Sequence, residues 1–240
     1  MSSLVFTIPE MEKICVVKDL SYKCVKEKKY HFDICYPIDY DKEKFYPTVI
    51  LVSGGSGDTL KLNENFREGF ISWGKLLATS GLLTVHFIWN YKCPEDITDF
   101  IAFVRENSDK FNIDKDRIAT FSFSRGVNLS IDNILKSNSG FLKGMVIYYG
   151  KIPSSLRKEF RTNLPPIFIA MAGNDKFFST DCNDKFIDKY RNVTIIQKTI
   201  HETGEHAFDI RNNNERSIEI IKKTVEFLDN VLTLNQTPTA

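Results

Sequence analysis

The stretch "FSFSRG" at 121–126 sets Ser124 between two small residues, Ser122 and Gly126. A serine hydroxyl becomes a nucleophile only when a neighbouring imidazole takes its proton, and that imidazole needs a carboxylate to fix its tautomer and stabilise its charged form. Both groups follow later in the chain. Asp175 comes directly after the apolar run that ends in "MAGN", with Asp181 and Asp184 as alternatives, and "HETGEHAF" at 201–208 carries His201 and His206. Taken alone, Ser124 is equally a helix N-cap, and Asp175 an ordinary turn residue.

Residues so far apart meet only if a rigid framework brings their loops together. From "PTVILVSGG" onward, short apolar runs alternate with helical periodicity: "LLTVHFIW" (82–89), "RIATFSF" (117–123), "GMVIYYG" (144–150), "PPIFIAMAG" (165–173) and "VTIIQKTI" (193–200). Such runs read as buried parallel strands. Phe66, Phe70, Trp73 and Leu77 fall at helical steps before a stop at Ser80-Gly81. Pro94 opens a second helix with Ile97, Ile101 and Val104 inside, and Ile218, Ile221, Val225, Leu228 and Leu232 predict the apolar stripe of a C-terminal helix. Upstream, "KICVVK" and "YHFDICYP" predict an antiparallel hairpin over about 12–37, turning at "KEKK".

The sum is a three-layer α/β fold, an open and mostly parallel sheet with helices on both faces. The expected organisation is a single domain over 1–240, with a core from about 46 to 232 and a frayed tail from about 233 to 240. In such sheets function gathers at the carboxyl ends of the strands. The loops bearing Ser124, Asp175 and the two histidines all leave from there, as does the glycine-rich "SGGSGD" at 53–58.

Composition removes several function classes. Lysine plus arginine number 32 against 31 acidic residues, a net charge of +1, so no field extends outward to gather nucleic acid or an anionic membrane. "MSSLVFTIPEMEKICVV" lacks the basic and unbroken apolar regions of a signal peptide, and no apolar run approaches the roughly 20 residues of a membrane span. Five cysteines without CxxC spacing suit reduced core thiols. A cytoplasmic protein is expected. The histidines of "HETGEH" are five apart, lacking metal-ligand spacing, and "SGGSGD" lacks the Gly-Lys-Ser/Thr ending of a phosphate loop, so neither metal nor cofactor is expected. Nothing fixes the oligomeric state, and a homodimer stays open.

In chain order the candidates run Ser, Asp, His. That order, together with "YPTVILVSGG", "NIDKDRIATFSFSRG", "PPIFIAMAGND" and "GEHAF", resembles the α/β hydrolases of the dienelactone-hydrolase and acyl-esterase kind over about 46–232. The resemblance implies Ser124 as nucleophile, Asp175 as orienting acid, and His206 as base, since Gly204, His206 and Phe208 match the family's histidine loop. It also implies an oxyanion hole built from the Arg125 amide with Gly54, Gly55 or Ser56. Two departures stand out: Ser122 occupies the first glycine position of the elbow, and Ser53 replaces a histidine that generally supports the oxyanion loop. Dienelactone hydrolases proper use a cysteine nucleophile, so Ser124 shifts the expectation toward serine esterase chemistry. The segment 151–164 is too short for a cap domain, which implies an open site and short acyl groups. The implied activity is hydrolysis of a small carboxylic ester through an acyl-serine intermediate. Rival readings are a weakly catalytic small-molecule-binding protein on the same fold, and a peptidase for short peptides.

Overall fold

Side-chain alternation along each central strand divides its residues between two apolar cores. In β3 (Tyr46–Val52), Val49 and Leu51 enter one core while Ile50 and Val52 enter the other. The same division recurs in β5 (Ile113–Phe123), β6 (Leu142–Tyr148) and β7 (Ile167–Ala172), whose burial on both faces explains the apolar runs that end each of them. The structure, a computed structural model, describes residues 3–54, 64–137, 140–158 and 161–233.

The remaining strands are β1 (Val16–Val25), β2 (Lys28–Cys35), β4 (Leu83–Phe87) and β8 (Ile196–His201). Their order across the sheet is β1-β2-β4-β3-β5-β6-β7-β8. Strands β3 to β8 pair in parallel with their neighbours, whereas β1 and β2 form the expected hairpin and join β4 antiparallel. The hairpin turns at Lys26 and Glu27, both at positive φ, as a two-residue turn between right-twisted strands requires.

The helices are α1 (Glu64–Ala78), α2 (Glu95–Glu106), α3 (Ser108–Phe111), α4 (Arg125–Ser137), α5 (Ser155–Lys158), α6 (Asp184–Tyr190), α7 (Phe208–Arg211) and α8 (Glu215–Thr233). Trp73 and Leu77 of α1 share one core with Ile220, Ile221 and Leu228 of α8. Ile97 of α2, Ile131 of α4 and Phe186 of α6 fill the core on the opposite face. The three-layer arrangement follows. Among the described residues no helix is long and apolar enough to cross a membrane.

Two expectations need correction. The buried side of α8 is rotated from the expected stripe: Ile218 and Val225 are half-buried, while Ile220, Thr224 and Phe227 are buried with Ile221, Leu228 and Leu232. A threonine can take an inner place because the Thr224 hydroxyl bonds the Tyr148 hydroxyl at 2.7 Å and the Ile220 carbonyl at 2.9 Å. The cysteines are free thiols, but only Cys35 lies in the core. Cys15, Cys24 and Cys93 are exposed and Cys182 is half-buried, since they fall in edge or loop positions.

Candidate active site

Ser124 alone turns the chain from β5 into α4, with φ at 52°. A non-glycine residue in that left-handed region carries strain of about 1–3 kcal/mol, which the surroundings must hold. They do so at both ends: the Ser124 N–H donates to the Tyr148 carbonyl at 2.9 Å, and its own carbonyl accepts from Val127 N–H at 3.1 Å. A Cβ at Gly126 would lie 2.5 Å from the Ser53 carbonyl oxygen, and one at Gly54 would lie 2.6 Å from Ser124 Cβ. The exit of β3 and the start of α4 therefore close on the turn with no space for a methyl group.

The two departures from the family pattern have local explanations. Ser122 is buried, with its Oγ 3.1 Å from Ser130 Oγ, so a short polar link joins strand to helix where the usual glycine would only allow close approach. Ser53 is buried and its Oγ accepts from Trp89 Nε1 at 3.3 Å, which ties the end of β3 to the segment after β4.

The three candidate triad residues meet. His206 Nε2 is 2.9 Å from Ser124 Oγ, and His206 Nδ1 is 2.7 Å from Asp175 Oδ2. The carboxylate is wholly buried although the Asp175 backbone is not, and the imidazole is 17% exposed. The other carboxylate oxygen, Oδ1, accepts from the N–H groups of Phe177 at 2.7 Å and Phe178 at 3.3 Å. One carboxylate thus fixes both the histidine and its own loop. Of the alternative acids, Asp184 pairs with Lys198 and Asp181 lies exposed, so neither takes this place. The alternative base, His201, is buried at the end of β8, its Nε2 within 3.0 Å of both Asn214 Oδ1 and Ser217 Oγ. It anchors the histidine loop to the start of α8.

Arg125 is the first residue of α4, where a backbone N–H has no intrahelical acceptor, and among the described residues nothing accepts from it. Its side chain is exposed. Gly55 and Ser56, the expected second half of the oxyanion hole, lie outside the described residues; Gly54 is described and sits against Ser124.

A second layer was not foreseen from sequence. Tyr149, at φ 35°, lays its ring edge-on to His206, with centroids 4.8 Å apart, and its hydroxyl donates to Asp209 Oδ1 at 2.9 Å. Asp209 Oδ2 accepts from Trp73 Nε1 at 2.8 Å. Burial pushes the Asp209 carboxyl above its usual range, and the two donors oppose that push. Burial likewise raises the Tyr149 phenol, which stays a donor. The available signals were slight: Tyr149 closes an apolar strand run, and Asp209 resembles a first-turn helix acid.

A strained serine between strand and helix, linked through an imidazole to a buried carboxylate, is the arrangement that triad hydrolases use on α/β sheets. The dienelactone hydrolase family model matches residues 85–232, and the chain belongs to that family, a family of ester-bond hydrolases. No curated protein sequence matches it. In fold it is similar to the esterase Est2 from the Planctomycetes species Thermogutta terrifontis: the native structure is 17% identical, with 95% of this chain and 96% of that chain covered and a TM-score of 0.72. The paraoxon-phosphorylated form of that esterase is 16% identical (93% and 96% covered, TM-score 0.72), and its butyrate-bound form 17% identical (93% and 96%, TM-score 0.71).

Proposed function

We propose that the protein is a serine esterase cleaving small carboxylic esters through an acyl-serine intermediate. Ser124 attacks the carbonyl carbon, His206 takes the hydroxyl proton and returns it to the leaving alcohol, and Asp175 holds the imidazole and balances its charge. The Arg125 amide and the glycine loop after β3 stabilise the oxyanion. The observation that carries this reading is the continuous hydrogen-bonded chain from Ser124 Oγ through both ring nitrogens of His206 to Asp175 Oδ2.

The acyl group is short on this reading. Between β6 and β7 the described structure holds only the four-residue α5, with no cap helices over the site. Each further methylene gains about 0.8 kcal/mol only when it is buried. The Thermogutta terrifontis esterase of the same fold has been solved with propionate and with butyrate bound, acids of that size.

The test is turnover of p-nitrophenyl esters from acetate to palmitate by the native chain and by Ser124→Ala, with covalent labelling by paraoxon read by mass spectrometry. Expected are a kcat/KM maximum at roughly two to four carbons, a fall of at least about a thousandfold in the mutant, and labelling at Ser124 alone. Unchanged turnover in the mutant would sink the mechanism. A maximum at long chains would overturn only the short-acyl part.

A further inference from the structure

One aromatic side chain at the site is unexplained by packing. Phe177 is 72% exposed, the most exposed large hydrophobic residue among those described. A single exposed apolar side chain needs no explanation by itself. This one, however, is held in place and directed at the reacting group. Its backbone N–H is bonded to Asp175 Oδ1, so its position is set by the same carboxylate that orients the imidazole. Its ring lies edge-on to His206, with centroids 5.0 Å apart and planes at 73°. The next residue, Phe178, turns inward to pack on the core, so the pair diverges: one ring supports the loop and the other stays open to solvent beside the histidine. Tyr149, buried, covers another side of the imidazole. Of the three rings that border His206, Phe177 is the exposed one, on a side that faces solvent.

The chemistry assigns that side to one part of the substrate. During acylation the bond from Ser124 Oγ to the acyl carbon forms, the bond from the acyl carbon to the alcohol oxygen breaks, and the proton taken from Oγ passes from His206 Nε2 to that oxygen. The departing oxygen must then lie within hydrogen-bond reach of Nε2, and its substituent beside the imidazole. Resting on the serine-esterase reading above, we propose that Phe177 forms the wall of a leaving-group subsite that takes an apolar, preferably aromatic, alcohol, and so sets alcohol specificity independently of the acyl group. Edge-to-face and offset ring contacts supply a preference that an aliphatic alcohol of small size cannot draw on.

Benzyl acetate and ethyl acetate share their acyl group and differ only in the alcohol, so the ratio of their kcat/KM values isolates the subsite. Phe177→Ala should lower the benzyl-to-ethyl ratio roughly five- to tenfold, Phe177→Tyr should restore it, and a matched acyl series such as ethyl acetate against ethyl butyrate should keep its ratio in both variants. A uniform fall for benzyl and ethyl esters, with the ratio unchanged, would show that the ring only braces His206 and would overturn the proposal. So would an unchanged ratio with unchanged rates. If the native chain hydrolyses none of these esters while folded, the esterase reading itself fails, and this inference with it. If the native chain is active and Ser124→Ala is not, a flat benzyl-to-ethyl ratio overturns this inference alone.

Discussion

Tyr149 lays its ring against His206 and donates its hydroxyl to Asp209, so a buried carboxylate three residues beyond the histidine braces it through the residue that follows β6. The hydroxyl is what joins the two. Tyr149→Phe leaves the ring but removes a donor from a buried, charge-assisted bond, a loss of about 1–3 kcal/mol. The expected outcome is a melting temperature lowered by several degrees and a smaller kcat with little change in KM, measured by thermal denaturation and steady-state kinetics on p-nitrophenyl acetate.

The two histidines of the "HETGEH" loop should separate cleanly. His206→Ala should lose nearly as much activity as Ser124→Ala, because triad members act as a unit. His201→Ala removes the partner of Asn214 and Ser217, so it should cost about 1–3 kcal/mol of stability and keep most of its turnover at low temperature. Equal loss of activity in both folded variants would reject this division.

Ser122→Gly restores the usual elbow residue and is expected to be a loss all the same. Ser130 would keep a buried hydroxyl without its partner, at about 1 kcal/mol, a fall in melting temperature of roughly 2–4 °C for a chain of this size. Activity should stay within about twofold, since the turn itself is held by Ser124 and Gly126.

Acid should weaken the fold through His86. It is buried, stacked on Phe70 with centroids 4.4 Å apart, and among the described residues its Nε2 has no partner. Burial pushes its pKa down to about 4, with the Arg67 charge adding to the effect and Asp33 opposing it. An unfolded histidine titrates near 6.5, so between about 6.5 and 4 the unfolded chain binds more protons and stability falls as pH drops. The contribution reaches roughly 3 kcal/mol at pH 4. His86→Leu should lose much less over that window, which urea titrations at pH 7, 5.5 and 4 will measure.

The catalytic candidates were legible because each lies at a strand exit where small residues are needed locally: Gly126 against Ser53, Gly54 against Ser124. Such constraints act over a few residues and leave their mark in the sequence. The second layer acts over long separations and leaves none. Tyr149 and Asp209 are 60 residues apart, and Trp73 and Asp209 are 136 apart. The α8 register escaped for a related reason: apolar steps of three and four fit two adjacent stripes, and Thr224 is acceptable inside because the distant Tyr148 hydroxyl joins the Ile220 carbonyl in satisfying it. Phe177 gave no signal of its own, because an exposed phenylalanine looks like any loop residue until the histidine beside it is located.

The sheet order sets a last consequence, for how the enzyme fails. Ser124 and Asp175 leave from interior strands, β5 and β7, each paired on both sides, whereas His206 leaves from β8, which among the described residues pairs only with β7. Local opening of an edge strand requires fewer broken contacts than global unfolding. Fraying of β8 would carry the His206 imidazole away while Ser124 stays in its turn. Amide hydrogens of β8 should then exchange sooner than those of β5, and in rising urea turnover should fade before the cooperative loss of the core. The linkage of Ser124, His206 and Asp175 is only as durable as the outermost ribbon of the sheet, however firmly the serine is held.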